Sequence, residues 1–197
     1  MLSTRFTKHS LVTEAHKTIQ PYLSNQSFSI DATMGNGHDT LFLAQHSHKV
    51  YAFDIQESAL KATRQRLENK NCLNKVSLIH AGHQDMLNYV TPKQKADVIM
   101  FNLGYLPHAE KSIITQTVNT LAALNHAIKL LSPNGIISIL AYPGHSGGDD
   151  EMQAVIRWHK KLENTQYAIT IIHSMHENEH SPRLFIIQKS LETCLEH

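Results

Sequence analysis

Long apolar runs are absent from this sequence, so no segment has the length and character of a membrane span. The opening residues (MLSTRFTKHSLVTEAHK) also lack an apolar signal core, and no secretion signal is expected. Cysteine is scarce. Cys72 and Cys194 lie far apart with no metal-type spacing, which argues against a disulfide scaffold and fits a reducing, cytoplasmic setting. Charge of one sign is missing as well: 18 basic residues face 17 acidic ones, for a net charge of +1. A protein that grips long duplex nucleic acid carries a basic excess, so any RNA partner should be small and met by a local patch. Repeats, low-complexity stretches and linkers are also absent. What remains is a chain of 197 residues, 41% hydrophobic and 18% charged, enough for one domain with a proper core. That domain is expected over residues 1–194. Leu195-Glu196-His197 resembles the start of an affinity tag and is set aside. The 15 histidines let the charge rise as pH falls below about 6.5.

Strand-like and helix-like segments alternate. Residues 8–22 read as a helix stopping near Pro21, and 28–33 as a strand. Gly35 and Gly37 make a turn into a helix beginning at Asp39. Further strands are read at 50–54, 76–80, 97–101 and 136–142. Helices are read at 57–70, 112–131 and 148–162, the last anchored in the core by Trp158. Ser132-Pro-Asn-Gly135 reads as turn chemistry, and 167–173 with 184–189 as a closing pair of strands. Such alternation predicts a Rossmann-like α/β fold, a mostly parallel sheet with helices on both faces. Ligands in these folds bind beyond the carboxyl ends of the strands.

The residues after each strand are therefore informative. Asp31-Ala-Thr-Met34-Gly35-Asn36-Gly37-His-Asp39 leaves the first strand and opens a helix. Its paired glycines permit a sharp turn with a ligand lying against the backbone. A dinucleotide site would place a third glycine where this chain has Thr40. A ligand without phosphates does not need it, and Asp31 suits a cationic amino group. Asp54 ends the next strand, where an acid accepts from both ribose hydroxyls; Ile55-Gln56 offers no base for a phosphorylated ribose. Asp85 is placed to accept from an adenine amino group, with Met86 packing on the ring. Asn102-Leu103-Gly104-Tyr105-Leu106-Pro107 ends the fourth of these strands. An asparagine followed by exposed carbonyls can accept both hydrogens of an amine and aim its lone pair at an electrophile. The loop loosely resembles the Asn-Pro-Pro-Tyr loop of amino-methyltransferases, with Leu103-Gly104 in place of the prolines. After the strand at 136–142, Tyr142 suits stacking on a base and His145 proton transfer near neutral pH. Arg183 suits a phosphate contact. His173, His176 and His180 have helix-type metal spacing but fall in a strand and loop without a carboxylate pattern, so no metal is expected.

Taken together, Asp31-Ala-Thr-Met-Gly-Asn-Gly-His-Asp, Phe53-Asp54-Ile-Gln, Val98-Ile-Met-Phe-Asn-Leu-Gly-Tyr-Leu-Pro and Gly144-His-Ser-Gly-Gly look like the YtqB-like family, long labelled rRNA methylases, over about Thr7 to Lys189. Ser146 departs from the Gly-His-Glu-Gly-Gly of relatives. The resemblance implies a seven-stranded class I methyltransferase fold whose last strand is antiparallel. It also implies S-adenosylmethionine as cofactor, with Asp31, Met34, Gly35, Asn36, Gly37, Asp39, Asp54, Gln56, Asp85 and Asn102 around it. Members of the MnmM type methylate the amine of 5-aminomethyl-2-thiouridine at the tRNA wobble position. That implies Asn102, Tyr105 and His145 as catalytic residues, and Gly104, Tyr105, Pro107, Tyr142, His145 and Arg183 as contacts to an anticodon stem-loop. A homodimer is permitted. Three readings stay open beside it: an rRNA methyltransferase, an NAD-dependent oxidoreductase (against which Thr40 argues), and a non-catalytic RNA-binding protein.

Overall fold

The computed structural model describes residues 2–104, 116–144, 147–162, 166–176, 178 and 181–189. Its strands are β1 (Leu2–Thr7), β2 (Phe28–Asp31), β3 (Lys49–Asp54), β4 (Val76–His80), β5 (Ala96–Leu103), β6 (Leu131–Ala141), β7 (Tyr167–Ser174) and β8 (Arg183–Lys189). The helices are α1 (Leu11–Ile19), α2 (His38–His46), α3 (Glu57–Glu68), α4 (Thr117–Leu130) and α5 (Gly148–Lys160). One sheet holds all eight strands in the order β1-β7-β8-β6-β5-β2-β3-β4. Only β8 runs against its neighbours, β6 and β7. The order reverses at β2, which lies between β5 and β3. That topological switch point opens a crevice at the carboxyl ends of β2 and β5.

Strand parity decides what faces the crevice. Side chains alternate between sheet faces. In β5, Ile99, Phe101 and Leu103 join the core cluster shared with α4 and α5, while Val98 and Met100 join the one shared with α1, α2 and α3. Asn102 has the parity of the second group, and its side chain meets α2. The same rule turns Asp31 and Asp54 toward the α1–α3 face, since Phe28, Ile30 and Phe53 pack on the other. Trp158 is buried between α5 and α4, its Nε1–H donating to Asn125 Oδ1 at 3.0 Å.

Several boundaries differ from the sequence reading, each for a local reason. The sheet has eight strands rather than seven. β1 escapes detection because five of its six residues are exposed, so no apolar alternation marks it; pairing with the edge of β7 holds it. α1 is shorter than 8–22. Ser10 caps it by accepting from the Thr13 N–H, and Pro21 sits in a separate 3₁₀ turn over Gln20–Tyr22. β2 stops at Asp31, where the glycine turn takes over, and β5 runs on through Asn102 and Leu103 beside β6. Ser132-Pro-Asn-Gly135 is a register irregularity inside β6: the partners step from Ala96–Leu131 to Val98–Ile136.

Candidate active site

A cavity of about 710 Å³ fills the switch-point crevice. β2 and its glycine turn supply Thr33, Met34, Gly35 and Asn36, and α2 supplies His38 and Asp39. Asp54 and Gln56 come from the end of β3, and Asn102, Leu103 and Gly104 from β5. Tyr142 follows β6, and Gln116 and Asn119 belong to the start of α4. Among the described residues the cavity thus gathers nine of the expected contacts, Met34, Gly35, Asn36, Asp39, Asp54, Gln56, Asn102, Gly104 and Tyr142, and adds Gly82 and His83 from the loop after β4.

One end of the cavity is built on the glycine turn and Asp54. The Asp54 carboxylate is fixed by two backbone donors: Gly35 N–H to Oδ2 at 2.9 Å and Gln56 N–H to Oδ1 at 2.9 Å. Such bonds lock its orientation and leave lone pairs for hydroxyl groups. The turn carrying Gly35 is braced from α3, where Thr63 Oγ1 donates to Gly35 O at 3.0 Å and Arg66 Nε to Asn36 O at 2.7 Å. Gly37 is required by this packing. Its φ is +76°, and a Cβ there would lie 2.6 Å from Thr63 Oγ1.

The other end is polar and partly shielded. Asn102 Nδ2 donates to Asp39 Oδ2, and the Asn102 backbone N–H donates to Thr33 Oγ1 at 2.6 Å. Asp39 Oδ1 meets His16 Nε2 of α1 at 2.6 Å. Burial, then the Asp39 charge, pushes the Tyr142 hydroxyl above its ordinary range. The Leu103 carbonyl accepts from Tyr142 N–H at 3.3 Å, which takes up one of its lone pairs. His83 is held neutral: burial lowers its pKa to about 4, against the opposing pull of an Ala32 backbone bond and Asp85.

Four expected residues sit elsewhere. Asp31 is 1% exposed and absent from the cavity wall; its oxygens accept from Thr40 Oγ1 at 2.6 Å and Thr33 N–H at 3.1 Å. Burial, then Asp39, raises its carboxyl to about 7, with Thr40 and Thr33 pulling the other way. It supports the turn from behind, and the acid of this motif that reaches the cavity wall is Asp39. Asp85 also turns away. The chain winds into a 3₁₀ helix over His83–Asn88, so Asp85 accepts from Gln84 Nε2 at 2.9 Å and Gln84 takes the wall; Met86 is fully buried. Gly37 lies behind the turn against Thr63. Arg183 opens β8 opposite Ala141, on the same sheet edge but outside the cavity wall. Tyr105, Pro107 and His145 lie outside the described residues, as does His180. His173 packs against Phe6 of β1, with ring centroids 5.4 Å apart. Among the described residues no group of three or more metal-ligating side chains forms. No described helix is long and apolar enough to cross a membrane.

Sequence reading missed His16, Val12 and Gln84. Val12 lines the cavity from α1, one turn before His16, beside the buried stripe of Leu11, Ala15 and Ile19. No local signal ties this helix to the site; only tertiary packing does.

The family described as "Putative rRNA methylase" matches residues 50–188. The chloroplastic tRNA (mnm(5)s(2)U34)-methyltransferase of Arabidopsis thaliana is 38% identical over 155 residues, covering 72% of this chain and 56% of that protein. The chain therefore spans about half the length of that relative. A solved "putative rRNA-methylase" of Clostridium thermocellum superposes with a TM-score of 0.88 at 33% identity, covering 93% of this chain and all of that one (100%). SMU.1697c of Streptococcus mutans, a "putative methyltransferase" solved in complex with SAH, gives a TM-score of 0.85 at 38% identity, covering 93% of this chain and 99% of that one.

Proposed function

The chain belongs to this rRNA-methylase family, and from that membership we propose that it is an S-adenosylmethionine-dependent methyltransferase whose substrate is the wobble uridine of tRNA. The observation that carries the reading is the pairing of two chemistries in one cavity. Asp54, pinned by Gly35 and Gln56, suits a ribose; Asn102 and Asp39, some way along the sheet edge, suit an amine. The residues fit the cofactor. The wall formed by Met34, Gly35 and Asn36 is backbone-rich, Asp54 accepts hydroxyls, and Gln84 is the side chain placed for an adenine edge. When bound, S-adenosylmethionine supplies an electrophilic methyl group on a positively charged sulfur.

The protein's own part is positioning. The amine of a 5-aminomethyl uridine is protonated in water and must shed a proton before its lone pair can attack. Asn102 Oδ1 then accepts one of the remaining N–H groups and fixes the lone pair's direction. Methyl transfer to that lone pair would form the N–C bond as the C–S bond breaks, leaving a secondary ammonium and S-adenosylhomocysteine. Tyr142 offers a face for the base. Tyr105, Pro107, His145 and Arg183 belong to this reading as substrate contacts, His145 as a proton acceptor. The anticodon stem-loop presents the wobble base, and its small footprint matches a net charge of +1. A cytoplasmic setting and a homodimer complete the reading.

The family description favours a second substrate, ribosomal RNA. Methyl transfer from labelled S-adenosylmethionine to tRNA and rRNA, both from cells lacking the gene, separates the two when products are resolved by nucleoside mass spectrometry. Label in 5-methylaminomethyl-2-thiouridine is the expected result. Label confined to rRNA would replace the substrate and keep the chemistry.

A further inference from the structure

His16 has no part in the reading above, yet its contact is among the tightest at the site. It projects from α1, ahead of the strand–turn–helix that carries the glycine turn, and meets Asp39 Oδ1 at 2.6 Å. We propose that His16 is a positioning residue that acts through Asp39 to hold the Asn102 side chain with its oxygen toward the substrate amine. This rests on the amine-accepting role of Asn102 proposed above.

The geometry divides the Asp39 carboxylate between two partners, His16 on Oδ1 and Asn102 Nδ2 on Oδ2. An ionised carboxylate only accepts, so His16 must present Nε2–H and Asn102 must present its NH₂. The NH₂ being committed, Oδ1 of Asn102 is the end left for the cavity. A flipped amide would offer donors to an amine that also donates, and the attacking lone pair would lose its guide. The His16 ring is itself clamped: it stacks flat on Phe42, centroids 3.9 Å apart and 4° from parallel. Phe42 and Asp39 share α2, so one helix fixes both the ring plane and the carboxylate. Asp39 is only 8% exposed, so losing His16 would leave a buried oxygen unpaired and free the carboxylate to turn. His16 is not part of the cavity wall, which separates this role from contact with substrate.

The test compares His16→Ala, His16→Gln and Asn102→Ala in the full chain. Steady-state methyl transfer to tRNA lacking the modification is measured, with S-adenosylhomocysteine affinity by calorimetry. His16→Ala is expected to lower kcat about 10- to 100-fold, while tRNA KM and S-adenosylhomocysteine Kd stay within about twofold. His16→Gln, which keeps an N–H donor, should recover most of the loss. In the Asn102→Ala background, His16→Ala should add less than about twofold, because the residue it positions is gone. The side-chain amide resonances of Asn102 in the ligand-free protein give a readout independent of turnover. They should shift in His16→Ala and return toward the wild-type position in His16→Gln. Wild-type kcat in His16→Ala, unmoved Asn102 resonances, or full additivity with Asn102→Ala would each overturn the proposal. If Asn102→Ala itself leaves turnover intact, the amine-accepting role fails first and this proposal falls with it. Loss in Asn102→Ala but not in His16→Ala refutes this proposal alone.

Discussion

Replacing Asp31 with asparagine tests whether this acid is a ligand or a buried support. In the fold it accepts from Thr33 N–H and Thr40 Oγ1 and has no access to the cavity. Asparagine preserves both contacts: its oxygen faces the Thr33 amide, and its NH₂ faces a Thr40 hydroxyl that can turn to accept. What changes is the charge. Burial, with Asp39 nearby, raises the Asp31 carboxyl from 3.8 to about 7. Between those values the folded protein keeps a proton that the unfolded chain has released. Its stabilising contribution is therefore complete below 3.8 and is lost as pH rises through about 7. At 1.36 kcal/mol per unit, wild type should lose about 3 kcal/mol relative to Asp31→Asn between roughly pH 5 and pH 8. Urea unfolding of both proteins across that range isolates the term, because other titrating groups cancel in the difference. S-adenosylhomocysteine affinity at neutral pH should change by less than about threefold, since Asp31 does not line the cavity. Parallel stability curves would refute the buried-proton argument. A large fall in affinity with parallel curves would restore Asp31 as a direct ligand.

Asp54→Ala removes the acceptor expected to hold the ribose, and S-adenosylhomocysteine affinity measured by calorimetry should fall by about 1.5–3 kcal/mol; unchanged affinity would sink that assignment. Asn102→Ala should lower kcat by two orders of magnitude or so while leaving cofactor affinity nearly intact, and the reverse pattern would remove it from the amine site. Gly37→Ala should destabilise the fold by about 1–3 kcal/mol in denaturant titrations. A companion Thr63→Ala change should not restore it, because the new Cβ would also lie 2.9 Å from Thr63 Cα. Full rescue would show that only side-chain crowding was at stake.

The order of strands and helices was legible because each buried strand is an apolar run and each connection carries glycine, proline or polar punctuation. Asp54 and Asn102 were legible as cavity-lining residues for the same reason, since each is a polar residue at the carboxyl end of an apolar strand. Asp31 looked identical by that rule and behaves differently. It ends β2 at the sheet's centre, where Thr40 of the following helix closes over it, and solvent is excluded. Asp85 was misplaced by a change of winding: an extended loop would present it, whereas the 3₁₀ turn presents Gln84. β1 was invisible because an exposed edge strand needs hydrogen bonds rather than burial, and backbone pairing leaves no mark in composition.

The two acids of the first motif show how one short segment supplies both a fold and a reaction. Asp31 and Asp39 flank the same turn, and the Asp39 charge is the second cause, after burial, of the upward shift at Asp31. Asp39 stands at the cavity wall with one oxygen on His16 and the other on Asn102. Asp31 has only hydroxyl and amide donors and retains its proton to near neutrality. The asymmetry follows from partners, not from sequence position: α1 brings an imidazole to one acid and nothing to the other. In the proposed reading Asp39 stands beside Asn102 at the amine end of the cavity, while Asp31 stays behind the turn, outside the cavity wall. By bringing His16 to Asp39 and Val12 to the wall, α1, which precedes the glycine turn, shapes the cavity as the strands do.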